Sequence, residues 1–130
     1  MPTITKVKLD GRIINANQAE LTISWATNFK QPEVLSRSIF VYDIYIKNID
    51  GIGDLDVRHR RLGTAWDLAA DNPIEREVKY KVSRNYLNED FLFLGGGDTT
   101  DEWIAEVTAR PFTPKEYTAK SSVLRMEFGP

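Results

Sequence analysis

"SIFVYDIYIKNID", residues 38–50, decides how this chain folds. Phe40, Tyr42, Ile44 and Ile46 recur at every second position, the period of an extended strand. Ile39, Val41 and Tyr45 make the opposite face partly apolar too. A strand of this kind belongs at the centre of a sheet or under cover on both faces. Asp50-Gly51 then supplies a turn.

The same alternation recurs on both sides of this stretch. "ELTISWA" turns Leu21, Ile23 and Trp25 one way, with Thr22 and Ser24 opposite. "RRLGTAWDL" alternates through Leu62, Thr64, Trp66 and Leu68, and "IEREVKYKV" through Val78, Tyr80 and Val82. "WIAEVTARP" alternates through Trp103, Ala105, Val107 and Ala109, and "SSVLRMEF" through Leu124, Met126 and Phe128. An opening strand over Ile4–Leu9 brings the expected number to about seven. Turn-forming residues lie between them, at Asp10-Gly11, Asn15–Asn17, Gln31-Pro32, Asp71-Asn72-Pro73, Gly95–Gly97, Pro111 and Pro114. No window sustains a helical period, and "TAWDLAAD" offers one helical turn at most. There is no repeat, low-complexity tract or linker. The expectation is one all-β domain over residues 1–130, an antiparallel β-sandwich.

Composition narrows the function classes. A chain of 130 residues can bury a self-sufficient core. It contains no cysteine, which excludes disulfides and thiolate metal sites and leans towards a reducing, cytoplasmic setting. The formal net charge of −2 argues against nucleic acid as a partner, because a basic face supplies most of that affinity. No apolar run approaches the length of a membrane span, so a membrane partner is not expected.

Seven short strands resemble an immunoglobulin-like sandwich, and the details are similar to the fibronectin type III group. "ELTISW" resembles that group's second strand, which ends in a core tryptophan, here Trp25. "VYDIYIKNIDG" resembles its third strand and "EWIAEVTAR" its sixth, through Trp103, Ala105, Val107 and Ala109. "SSVLRMEF" looks like the last strand. The sixth strand carries Trp103 where that group usually has tyrosine, and two loops are longer than usual. The resemblance implies a binding or spacer module, with no reaction and no cofactor.

Three groups of residues are candidates for function. "LGGGDTTDEW", residues 94–103, is no phosphate loop, because its glycines lead into carboxylates and a strand rather than a helix N-terminus. Its acids could serve calcium, which takes six to eight oxygens. Asp50, Asp54 and Asp56 of one loop would join Asp98, Asp101 and Glu102 of the other at one end of the sandwich, with Asp90 near them. The competing reading is an ordinary solvated acidic loop. The other end carries "TNFKQPEVLS", "AADNPIE" and "RPFTPKEYT". There Phe29, Phe112 and Tyr117 are candidate binding anchors on proline-braced loops. Alternatively, Phe29 and Phe112 fold back and plug the sandwich.

"RHRR", residues 58–61, splits its charge across both strand faces and reads as a solvated edge strand. His59 is the only histidine, which excludes multi-histidine metal sites, and its arginine neighbours disfavour a serine triad. Trp25, Trp66 and Trp103 are expected in the core, with Trp66 able to form a sugar-stacking platform beside Tyr45 or Tyr80. No acid, base and nucleophile converge, so an enzyme is not expected. The expected function is a non-catalytic interaction module, binding another protein or itself, or a subunit of a larger assembly. The alternatives are a calcium-stabilised module and a carbohydrate-binding jelly roll.

Overall fold

Alternation becomes strand wherever the chain carries it, except near the C-terminal end. A computed structural model describes residues 1–48, 58–87, 102–112 and 121–127. Among them are six strands: β1 (Thr3–Ile13), β2 (Gln18–Asn28), β3 (Ile39–Asn48), β4 (His59–Leu68), β5 (Ile74–Ser83) and β6 (Trp103–Phe112). They form two antiparallel three-stranded sheets, ordered β1-β2-β5 and β4-β3-β6. The fold is an all-β sandwich, as expected. β3 is the central strand of its sheet, again as its two-sided apolar pattern requires.

The core lies between the two middle strands, whose inner faces are covered most completely. Leu21, Ile23 and Trp25 of β2 meet Tyr42, Ile44 and Ile46 of β3, and Val82 of β5 completes the cluster. Trp25 is 2% exposed and stands edge-on to the Tyr42 ring, with centroids 5.3 Å apart. Val107 and Ala109 pack against this cluster from β6.

Both flanks of the sandwich carry core-facing side chains that are only partly buried, among them Leu62, Ala65, Val78 and Tyr80 on the β4–β5 flank. Tyr80 lies directly on Gly63, where a Cβ would come within 2.6 Å of the tyrosine oxygen. Glycine is needed there for close approach between the sheets. Beside it, the buried Asp67 of β4 receives the Arg76 guanidinium of β5. On the β1–β6 flank, Ile4, Leu9, Trp103, Ala105 and Val107 all face the core but are only partly buried.

Three features correct the sequence reading. The alternating segment "SSVLRMEF" was expected as a seventh strand, yet Ser121–Glu127 has no regular structure and is exposed throughout. Its apolar residues exist, but its backbone has no ladder partner among the described residues. Two short helices were not foreseen: α1 (Gln31–Leu35) and α2 (Arg84–Leu87). Both are too short for a helical period to register in sequence. In α1 the Glu33 carboxylate accepts the Lys30 amide at 2.8 Å, and Pro32 sits in the first turn. It ends with Arg37 at φ 54°, with the Ser38 amide donating to Glu33 O and the Arg37 amide to Val34 O. This is a Schellman stop with arginine where glycine is usual, so no punctuation mark announced it.

The third correction lies in β4. Ile44 pairs with Gly63 and Tyr45 with Arg61, which leaves Leu62 as an inserted residue. This bulge reverses the facing of the strand on either side of it. Leu62 packs on the core, whereas Thr64, Trp66 and Leu68, expected on the same face as Leu62, point outward.

Candidate functional site

The bulge builds an unusual outer surface on the β4-β3-β6 sheet. Reading across the strands, the outward rows are Leu68-Ile39-Phe112, Trp66-Val41-Arg110, Thr64-Asp43-Thr108, Arg61-Tyr45-Glu106 and His59-Lys47-Ile104. The first two rows are mostly apolar. Trp66 is 65% exposed and Leu68 47%, although side chains of this size usually bury. Ile39, Val41, Thr64, Ala65, Trp66 and Phe112 line an open groove of about 410 Å3.

Behind the groove lies a charged strip. The Asp43 carboxylate, close to buried, accepts Arg110 Nε at 2.9 Å and faces Arg61 at 3.5 Å. Both arginines are about half exposed, so each pair contributes at most about 1 kcal/mol to stability. Their effect is to hold two guanidinium groups at fixed positions beside the apolar rows. Further along, His59 stacks on Tyr45 at 4.8 Å and meets Glu106 at 3.2 Å. The outer surface of the other sheet is different in kind. Arg12, Glu20, Lys79, Lys81, Glu75 and Glu77 cover it with mixed charge.

The expected anchors separate. Phe112 is not in a loop: it closes β6 and lines the groove. Phe29 stacks on buried Phe40, with centroids 5.8 Å apart, at the end of the core. Tyr117 lies outside the described residues. The expected placement of the three segments at one end is supported by strand ends there. Ile39 pairs with both Leu68 and Phe112, and the Ala69 amide donates to Ser38 O at 2.8 Å.

Of the candidate calcium ligands, Asp50, Asp54, Asp56, Asp98 and Asp101 lie outside the described residues, as does Asp90. Glu102 is exposed just before β6. Asn48 and Trp103, the described residues nearest the two acidic segments, pair with each other. Among the described residues no three acids or histidines are grouped to hold a metal.

The tryptophans also divide. Trp25 is core, and Trp103 packs on the core edge while its indole N–H donates to Leu87 O at 3.0 Å. Trp66, expected in the core, is exposed instead. Neither proposed platform partner joins it, because Tyr80 faces inward onto Gly63 and Tyr45 is stacked on His59. Sequence reasoning missed the Trp66 groove because strict alternation carried Leu62 and Trp66 to one face. "LGT" at 62–64 was the available signal, since a glycine inside a strand often marks a bulge. "RHRR" behaves as expected of an edge strand: Arg58 and Arg60 lie over the Tyr86 ring, while His59 and Arg61 take the outer face.

Asp67 is the other notable polar group. Its side chain is 1% exposed, and Arg76, half exposed, donates to it from the opposite sheet through Nε at 2.8 Å. Asp67→Ala removes the charge that ties the two sheets at this flank. The expected loss is about 2 kcal/mol, less than for a fully buried pair because the freed guanidinium can reach water. Urea denaturation of Asp67→Ala beside wild type measures it, and equal midpoints would deny the pair any role in joining the sheets.

No family model matches the chain, and no curated protein matches it. Among solved structures it is similar to a protein from Archaeoglobus fulgidus known from its crystal structure. The two share 10% sequence identity and a TM-score of 0.43, over 85% of this chain and 98% of the other. In the described residues no helix is long and apolar enough to cross a membrane.

Proposed function

We propose that this chain is a non-catalytic module that binds another protein through the outer surface of the β4-β3-β6 sheet. The observation that carries the reading is Trp66, a large aromatic exposed on a rigid strand amid Ile39, Val41, Leu68 and Phe112. Tryptophan and arginine are the side chains most often found at the energetic centre of protein interfaces. Here Trp66 and Arg110 occupy one row, and Asp43 holds the arginine in place before any partner arrives. Such fixed groups lose little conformational entropy on binding. Phe112 belongs to this surface and Phe29 does not, so the anchor set is Trp66, Phe112 and Arg110. The strand order, with the first, second and fifth strands opposite the third, fourth and sixth, supports an immunoglobulin-like or fibronectin type III-like sandwich.

Trp66→Ser tests the reading. Because the indole is mostly in solvent already, stability should change by less than about 0.5 kcal/mol. Affinity for a partner should fall by about 2 kcal/mol or more. Affinity capture from lysate, quantified for wild type and Trp66→Ser, checks this beside chemical denaturation of both. An unchanged set of captured proteins would overturn the proposal. Capture of glycans lost with the same substitution would favour the carbohydrate-binding reading, which the exposed indole face also suits.

A further inference from the structure

Trp66 stands between two concavities. On one side lies the outer groove with Val41 and Phe112. On the other, Trp66 shares an open cleft of about 590 Å3 with Asp67, Leu68, Ile74, Arg76 and Val78, and Glu77 also lines it. Each concavity has an arginine at hand. Arg110 lies in the same row as Trp66, and Arg76 lies in the cleft. Arg61 follows farther along the outer face of β4.

These arginines are tied to aspartates that are far less exposed than they are. Asp43 accepts Arg110 Nε at 2.9 Å and faces Arg61 at 3.5 Å, and Asp67 accepts Arg76 Nε at 2.8 Å. The side chains of Asp43 and Asp67 are 13% and 1% exposed, against 57%, 40% and 49% for Arg61, Arg110 and Arg76. Three cations thus meet solvent over two sunken carboxylates. The other acid of the outer rows, Glu106, faces His59 at 3.2 Å, and Lys47 adds a further cation. The surface around Trp66 therefore presents positive charge, although the whole chain carries −2. A guanidinium has five N–H donors, and Arg76 spends two of them on Asp67.

We infer that the protein bound at the Trp66 surface presents an acidic segment. An apolar side chain of that segment enters the groove, and aspartate or glutamate side chains on either side of it reach Arg61 and Arg110 on the sheet and Arg76 in the cleft. The planar guanidinium matches a carboxylate in geometry as well as in charge. Arginines already held by Asp43 and Asp67 lose little freedom when a second carboxylate arrives. The same charge speeds the encounter and turns basic proteins away. This inference rests on the proposed function for the surface and adds the chemistry of what binds there.

Three acetylated, amidated peptides test it: EELFEE, QQLFQQ and KKLFKK. The full chain, labelled with nitrogen-15, is titrated with each, and the Trp66 indole N–H resonance is followed by NMR. EELFEE should shift it saturably, QQLFQQ should bind about tenfold more weakly, and KKLFKK should not bind. Arg61→Gln and Arg76→Gln should each weaken EELFEE about threefold, and salt at about 0.5 M should weaken it further. Arg61→Gln serves alone if Arg76→Gln, which leaves Asp67 unpaired, does not fold. The inference is overturned if the three peptides bind alike or none binds. It is overturned equally if oligothymidylate shifts the same resonance as strongly as EELFEE, which would make the surface a site for any polyanion. Lysate capture separates this inference from the proposed function. Capture lost in Trp66→Ser, with no binding of EELFEE, refutes the acidic chemistry alone. EELFEE binding and capture that both survive Trp66→Ser refute the proposed function.

Discussion

Trp25→Ala is expected to destabilise the fold by about 3–5 kcal/mol, the range for deleting a large aromatic side chain from a packed core. Trp25 is 2% exposed and sits where the two central strands face each other. Its loss removes apolar burial, leaves a cavity between Ile23, Tyr42 and Ile44, and ends the edge-on contact with Tyr42. A small sandwich holds only about 5–15 kcal/mol in all, so this variant should be close to unfolding at ambient temperature. Trp25→Phe is the informative control. The indole N–H is buried with no hydrogen-bond partner among the described residues, so phenylalanine forfeits volume but none of the described bonds. It should cost clearly less than alanine. Guanidinium denaturation of the three proteins gives both differences. A loss below about 1 kcal/mol for Trp25→Ala would mean that the sheets do not pack in this register.

Alkaline pH should reveal a second dependence, centred on Tyr42. Its ring is fully buried, and its hydroxyl donates to Thr27 Oγ1 at 2.8 Å. Burial pushes the hydroxyl from 10.0 up to about 12, and the negative charge of Asp67 adds to the rise. Below pH 10 the proton is bound in both the folded and the unfolded chain, and the full stability is present. Between pH 10 and 12 the unfolded chain releases the proton while the folded one keeps it. Unfolding is therefore favoured progressively, by about 2 kcal/mol at the upper end. Tyr80 and Tyr86 are also raised by burial and add to the decline. The readout is therefore the difference between wild type and Tyr42→Phe. Phenylalanine should cost about 1 kcal/mol at neutral pH, where it strands the Thr27 hydroxyl, and regain ground as pH rises through this window. Stability curves that run parallel from pH 8 to about 12 would remove Tyr42 from the account.

The sequence by itself determined the elements whose pattern is long and regular. Phe40, Tyr42, Ile44 and Ile46 had to face one way in β3, and Leu21, Ile23 and Trp25 in β2, because strand geometry leaves no other arrangement of alternate side chains. From these two strands the sandwich and its core follow, since each needs an apolar face to pack against. Only the tertiary structure decided the facing of Trp66. One inserted residue, Leu62, turns the rest of β4 over, and the insertion depends on which β3 residue each β4 residue pairs with. Pairing is a long-range contact, and no local period encodes it. The same holds for Phe29 and Phe112. Composition made both plausible anchors, but one meets Phe40 and the other lies on the outer rows because of where the sheets end. The segment at Ser121–Glu127 shows the converse: its alternation is a capacity to form a strand, and a strand exists only where a neighbouring edge completes its hydrogen bonds.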